Sequence, residues 1–594
     1  MRTYFMDIFS IITLCGGLAF FLFGMSTMSS SLEKLAGGKL EQLLKKMTDN
    51  RFKSLLLGAG ITIAIQSSSA MTVMLVGLVN SGIMELGQTV GVIMGSNVGT
   101  TLTAWILSLS GIESGVIWLQ LLKPEVFSPV IALAGMIMTM SSKKSRVRSA
   151  GSIMVGFAVL MTGMEFMKNA MSPLADMPEF SAILTAFTNP FLGVIVGAVF
   201  TGVIQSSAAS VGILQALSLT GGITYGMALP IIMGQNIGTC VTALLSSIGV
   251  NRNARRVSVI HISFNLIGTA VCLAVFYGSD LFFHYAFMDA SIGPAGVAMV
   301  HSIFNIATTA LLLPFTKQLE RLAYVVVKED QSEKEEKFTF VDERLLATPS
   351  VAIAECANKT VEMAHLAEKT ILQSLTLLEK FDEKTAAGII KDEDRLDLYE
   401  DQLGTLLVRL SGKALSDEDS RNISKQLHTI GDFERIGDHA VNLLKTAREI
   451  DEKAIKFSGA AREEQRVLFN ALKEILSLTT RAFSQGDLAL AAKVEPLEQV
   501  IDGLVADIKS NHITRLQKGH CTIEMGFVLS DLLTNCERVS DHCSNIAVAQ
   551  IETALNAYQA HEYLNALKTG SNAAFRSAFD SYRTQFAVPK ESIA

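Results

Sequence analysis

The chain has 594 residues, too many for one ordinary core, and 49% of them are hydrophobic while 18% are charged. Those fractions coexist because the charge is segregated: residues 1–316 carry long apolar runs, and residues 317–594 are rich in Lys, Glu, Asp and Arg. The pattern excludes a single soluble domain and reads as a membrane half followed by a soluble half, with no nucleic-acid partner expected.

Seven cysteines (Cys15, Cys240, Cys272, Cys356, Cys521, Cys536 and Cys543) are scattered without metal spacing, so no disulfide framework is expected, which suits a cytoplasmic tail. The apolar run after Asp7 is long enough to be a spanning helix rather than a cleavable leader.

In chain order the apolar runs predict spans near 8–32, 86–110, 126–142, 149–168, 226–249, 257–283 and 295–315. Between them lie 54–80 and 190–222. Each holds a polar knot in apolar surroundings: Gln66-Ser67-Ser68-Ser69-Ala70 and Gln205-Ser206-Ser207-Ala208-Ala209. The apolar arms on either side are about 11 to 15 residues, whereas a crossing helix needs roughly 20. A re-entrant hairpin with the knot at its tip fits better.

The second knot repeats the first at a spacing of 139 residues. The same spacing relates Gly17 and Gly24 to Gly156 and Gly163, and Thr62 to Thr201. It also relates Gly95-Ser96-Asn97-Val98-Gly99-Thr100 to Gly234-Gln235-Asn236-Ile237-Gly238-Thr239, and Thr103 to Thr242. One ungapped register over about 90 residues is an internal duplication.

Basic residues cluster at Lys39, Lys45, Lys46, Arg51 and Lys53, at Lys143, Lys144, Arg146 and Arg148, and at Arg252, Arg255 and Arg256. Hairpins place all three clusters inside, as the positive-inside rule requires, whereas a spanning 54–80 would put the second outside. The N-terminus is then outside and the C-terminus inside. The two copies run in opposite directions, the inverted-repeat plan of secondary transporters.

A hairpin tip frees backbone N–H and C=O groups. The arm after it presents a helix N-terminus to an anion, and serine hydroxyls add donors and acceptors. Ser67, Ser68, Ser69, Ser206 and Ser207 would meet at one centre. No Lys or Arg lies deep in any expected span, so an anion would be neutralised by co-bound cations and dipoles. Asn97, Thr100, Thr101, Asn236 and Thr239 are further expected contacts for substrate or sodium, with the neighbouring glycines loosening their helices. His261-x-x-Phe264-Asn265-x-x-x-Thr269 and His301-x-x-Phe304-Asn305-x-x-x-Thr309 form polar stripes suited to interhelical hydrogen bonds.

These residues resemble the sodium/phosphate cotransporter family of type II, over roughly 5–316. The carriers of the likeness are Gln66-Ser67-Ser68-Ser69-Ala70 with Thr72-Val73-Met74, Gln205-Ser206-Ser207, the Asn-(Val/Ile)-Gly-Thr elements and the His-x-x-Phe-Asn elements. The resemblance implies that phosphate and sodium bind at the two knots, with Gln66 and Gln205 beside the serines.

The soluble half has apolar residues at helical spacing and few prolines. It predicts helices near 350–380, 383–413, 417–450, 460–484, 487–517 and 522–555, after a charged connector at 317–349. One more helical stretch and a tail follow in 556–594. This half also repeats: Glu434-Arg435-Ile436-Gly437-Asp438-His439 returns as Glu537-Arg538-Val539-Ser540-Asp541-His542, and Glu393-x-x-x-Asp397 as Glu498-x-x-x-Asp502. Carboxylates at i and i+4 share a helix face and repel unless solvated or bridged. Four such pairs in matched places point to a hard cation such as Mg, Mn, Fe or Ca. This half is similar to PhoU, the helical regulator of phosphate transport, over about 350–555. That resemblance implies carboxylate-held divalent or iron-type metal and a regulatory role.

The fold expected is all-α: a polytopic membrane transporter with inverted repeats (about 5–142 and 149–316) and two re-entrant hairpins, then a soluble tandem three-helix bundle. The function expected is secondary active transport of inorganic phosphate coupled to sodium in the cytoplasmic membrane, with the bundle in the cytoplasm. Carriage of another oxyanion, phosphate export and a membrane-bound phosphate sensor are the alternatives. Expected partners are the lipid bilayer and a regulatory protein or second copy of the chain. No nucleophile-and-base set or nucleotide loop suggests an enzyme.

Overall fold

A computed structural model of the chain describes residues 8–36, 50–82, 84–111, 124–142, 144–171, 189–328, 342–413, 415–555 and 573–588. Lys39, Lys45, Lys46, Lys143 and the connector stretch 329–341 lie outside the described residues. Among the described residues the backbone is helical with no strand, and the extended pairing seen is a single bridge between Thr224 and Ser291. The chain divides into two units, Met1–Ala352 with Ala414–Asp417, and Ile353–Lys413 with Glu418–Ala594.

Among the described residues of the first unit, six helices are long and apolar enough to cross a membrane: Phe9–Leu32, Leu86–Gly111, Ser145–Met171, Tyr225–Ser246, Arg252–Phe283 and Pro294–Val326. The expected span at 126–142 is a shorter apolar helix, Val126–Ser141. Both expected hairpins are pairs of short helices. The first joins α1 (Arg51–Ile65) to α2 (Ser68–Asn80), and the second joins α3 (Pro190–Ile204) to α4 (Ser207–Ser218).

The duplication is visible as repeated packing. Glycines let each first arm press against the helix after its hairpin: a Cβ on Gly95 would run into the Leu55 carbonyl, and one on Gly234 into the Val194 carbonyl. Leu55 and Gly95 are equivalent by the 139-residue spacing to Val194 and Gly234. The glycines beside Asn97 therefore do not loosen their helix. They permit close backbone approach, as in other membrane helix pairs, and Leu86–Ser108 runs unbroken through Asn97. The second copy does break, at Thr239, between Tyr225–Gly238 and Cys240–Ser246.

Helices Ile8–Ala36 and Ser145–Met171 cross antiparallel: a Cβ on Gly24 would stand 2.5 Å from the Gly156 carbonyl oxygen, and one on Gly163 2.6 Å from that of Gly17. Phe21 and Leu160 are fully buried at the middle of this crossing.

The expected charged connector begins as a helix, Thr316–Val326, which buries Thr316, Leu319 and Ala323 and turns Lys317, Glu320 and Arg321 outward or to the side. Arg256 holds its end by donating to the Val327 carbonyl at 2.8 and 3.1 Å, with its guanidinium 4.0 Å over the Tyr324 ring.

The second unit has the expected helices: Pro349–Glu379, which starts in the first unit, then Glu383–Ser411, Asp417–Glu452, Gly459–Gln485, Val494–Gln517 and Ile523–Leu555. The one expected at 487–517 is interrupted after the short turn Leu488–Ala491. Pro496 then sits in the first turn of the helix that restarts at Val494, where its missing N–H costs nothing. Ala573–Gln585 is the last described helix.

Candidate functional site

The two tips have one backbone. Gln66 and Gln205 adopt the left-handed conformation, φ 58° and 60°, ending α1 and α3. Their N–H groups donate to Thr62 and Thr201 carbonyls, both at 2.7 Å. Ser67 and Ser206 are then extended, and their hydroxyls cap α2 and α4 by accepting from Ala70 and Ala209 N–H at 3.1 and 3.2 Å. A left-handed residue followed by an N-cap reverses the chain in two residues. The tips meet: the Ser69 hydroxyl donates to the Gln205 carbonyl at 3.4 Å.

Between them lies a cavity of about 40 Å³, space for roughly three waters. Gln66, Ser67, Ser68, Ser69, Gln205, Ser206 and Ser207 line it with Thr62, Thr100, Thr103 and Ala208, and none of these is ionisable. Two helix N-termini with their unpaired N–H groups open onto this space, which favours an anion. Of the other expected contacts, Thr100 lines the cavity. Asn97, Thr101, Asn236 and Thr239 do not, and their side chains hydrogen-bond their own helices at Ile93, Val98, Ile232 and Asn236 carbonyls.

Side-chain partners separate the copies. Gln66 is buried: its amide donates to Ile63 O at 2.6 Å and its oxygen accepts from the Thr103 hydroxyl at 2.8 Å. Gln205 is exposed, and Thr242, the counterpart of Thr103, donates to the Thr239 carbonyl of its own helix. Thr62 and Thr103 were not singled out as site residues. Their signal was in the sequence, since each has a threonine at the 139-residue spacing. Asn265 and Thr269 of the first polar stripe bond between helices, the Asn265 amide 3.4 Å from Cys240 Sγ and the Thr269 hydroxyl 3.5 Å from the Met233 carbonyl, whereas the Asn305 amide of the second donates within its own helix to the His301 carbonyl at 2.8 Å.

In the second unit the expected carboxylates gather into two sets. Glu393, Asp397 and Asp438 bring one oxygen each within 4.8 Å of one another, and so do Glu498, Asp502 and Asp541. Glu434 and Glu537 stand beside the sets rather than within them. Burial and the charges of Asp438 and Asp397 push Glu434 up to about 7. Burial and the charges of Asp541 and Glu537 push Asp502 up to about 6, against the opposing pull of Lys509. Glu393, Asp397 and Asp541 are also raised, burial first. Mutually repelling oxygens at this spacing fit a hard cation, which would be held by the three carboxylates of each set and would relieve their repulsion.

Asp432 and its counterpart Asn535 belong to neither set. His542 Nδ1 pairs with Asp432 at 2.9 Å and His439 Nδ1 with Asn535 at 2.8 Å, so each repeat's imidazole is held by the other repeat.

Comparison with known proteins matches both units. The Na+/Pi-cotransporter family model covers residues 20–169 and 160–293, and the PhoU domain model covers 360–447 and 466–549. The Escherichia coli (strain K12) protein YjbB, provisionally named for inorganic phosphate export, is 22% identical over 551 residues, 91% of this chain and 98% of that one. YqeW of Bacillus subtilis (strain 168), an uncharacterised protein, is 26% identical over 311 residues, 52% of this chain and 96% of its own. The crystal structure of PhoU from Pseudomonas aeruginosa is 22% identical, covers 34% of this chain and 98% of that one, and aligns with a TM-score of 0.33. The chain thus joins a region that matches the Na+/Pi-cotransporter family model to two segments that match the PhoU domain model.

Proposed function

We propose that the protein is a carrier that moves inorganic phosphate together with sodium across the cytoplasmic membrane by alternating access. The observation that carries this is the cavity between two helix N-termini, lined by serine, threonine and glutamine and by no ionisable side chain. Helix dipoles and N–H groups attract an oxyanion. With no lysine or arginine on the wall, co-bound sodium supplies the remaining neutralisation. Carbonyls at the ends of α1 and α3 are the oxygen donors such an ion needs. Inverted copies give the carrier two related arrangements in which the site faces opposite sides.

The PhoU-like unit acts as a cytoplasmic regulator. Its carboxylate sets would take a divalent or iron-type cation, and a regulatory protein or a second copy of the chain is its natural partner. A second reading, phosphate export, is favoured by one observation: the relative that spans both units is named for export. A phosphate sensor without transport and a carrier of another oxyanion are the competing classes.

The deciding experiment is labelled phosphate flux in proteoliposomes, measured inward and outward, with a sodium gradient and with potassium in its place. Sodium-dependent flux is expected, and the faster direction separates import from export. No flux of phosphate, sulfate or another oxyanion in either direction would leave the sensor.

A further inference from the structure

The segment Asp342–Thr348 lies in neither family match, between residue 293 and residue 360, yet it is seated in the first unit. Leu345 has no exposed surface, and its Cδ2 stands 2.8 Å from where a Cβ on Gly77 would be. Gly77 is in the last turns of α2, the second arm of the first hairpin. Only a glycine leaves this socket open.

Polar contacts fix the seat. The buried Asp342 carboxylate accepts from Asn80 Nδ2 at 2.6 Å and from the Arg344 N–H at 2.8 Å, and its own N–H donates to the Ser81 hydroxyl at 3.3 Å. The Arg344 guanidinium pairs with Asp342 at 3.0 Å and reaches the Ile248 carbonyl. Asn80, at the end of α2, also accepts from Asn251, through its Oδ1 at 2.8 Å and its carbonyl at 2.9 Å. Asn251 in turn caps the helix Arg252–Phe283. One asparagine thus joins the hairpin, the second repeat and the connector.

This arrangement is not what packing alone selects. A carboxylate at a helix C-terminus opposes the dipole, and a buried one costs more unless paired. Arg344 and Asn80 meet that cost together. An apolar side chain at 342 would take this partner from the Asn80 amide and the Arg344 N–H.

We propose that Asp342 and Leu345 are positioning residues for the first serine tip: the connector is a plug in the inner end of the tip's own helix and sets where that tip stands. From Asn80 to Ser68 the helix is 13 residues, a rod of about 20 Å. A rod held at one end places its other end. Four residues after Leu345 the chain enters Pro349–Glu379 and leads on into the second unit, so whatever draws on that helix draws on the plug. The flux readout of this proposal rests on the transport reading; its exchange readout does not.

The test uses the full chain in proteoliposomes and nanodiscs. Leu345→Asp is expected to raise KM for phosphate about tenfold with the maximal rate within twofold. The pair Gly77→Cys with Leu345→Cys decides even if that variant fails to reach the membrane. A Cβ on Gly77 would be 3.8 Å from the Leu345 nitrogen, within reach of a disulfide. Oxidised, the pair keeps the wild-type KM; reduced, KM rises. In nanodiscs, hydrogen exchange at the Ala70 and Met71 amides is faster in the reduced than in the bridged form. Equal KM and equal exchange in the two forms, or a lost maximal rate at unchanged KM, overturns the proposal. If the wild type carries no phosphate at all, the transport reading fails and exchange alone decides the plug.

Discussion

The first copies and the second copies in this chain share backbones and differ in company. Gln66 and Gln205 have the same left-handed geometry, but Thr103 holds Gln66 while Thr242 turns to its own helix. The cause lies in the neighbour: the helix carrying Thr103 is continuous, and the one carrying Thr242 breaks at Thr239. The surroundings of the carboxylate sets differ too: Lys509 stands 3.6 Å from Glu537, beside the second set. Local sequence fixes the tip, and the adjoining element decides how tightly it is held.

The broadest test asks whether both tips matter. Gln66→Ala and Ser207→Ala are each expected to lower sodium-dependent phosphate flux by about 100-fold, the scale of losing hydrogen bonds to a charged ligand. Size-exclusion elution in detergent should be unchanged. Normal flux in both would remove the tips from the mechanism.

Thr103→Val and Thr242→Val sharpen the contrast. Thr103→Val removes a buried hydrogen bond worth about 1 kcal/mol, so phosphate affinity should fall about five- to tenfold, whereas Thr242→Val should change it less than about twofold. Equal effects on KM would erase the difference between the copies.

The smallest effect concerns the carboxylate sets. With Glu434 at about 7 and Asp502 at about 6, protons compete with metal as pH falls. Calorimetric titration of the full chain with Mn2+ should give binding several-fold weaker at pH 6 than at pH 8, with proton release. The sign for stability is opposite. These acids are raised above their unfolded values near 4.3 and 3.9, so the metal-free fold binds more protons than the unfolded chain between about pH 4 and 7. Its stability therefore falls as pH rises through that window. A midpoint that climbs with pH, without metal, would contradict the assignment.

Much of the fold was legible because its signals are local. The helices of the second unit follow from apolar residues at helical spacing, and the hairpins from arms too short to cross. The helix Thr316–Val326 looks like connector in the sequence because Lys317, Glu320 and Arg321 outweigh the three small or apolar residues of its buried face. The seat of Leu345 and the cross-repeat pairing of His542 with Asp432 were not legible. Each depends on residues more than 100 positions apart, and no pattern along the chain encodes such a meeting. Thr103 sits between these cases: its repeat was visible and its partner was not.

The crossing of Ile8–Ala36 with Ser145–Met171 carries a consequence for origin. Gly17 meets Gly163, and Gly24 meets Gly156, while the 139-residue spacing equates Gly17 with Gly156 and Gly24 with Gly163. A surface that meets its own equivalent in this reciprocal way is isologous, the contact of a symmetric dimer. A single ancestral copy could have completed it with a twin inserted the other way up. Fusion of two such genes would then have needed no new interface, only a tether.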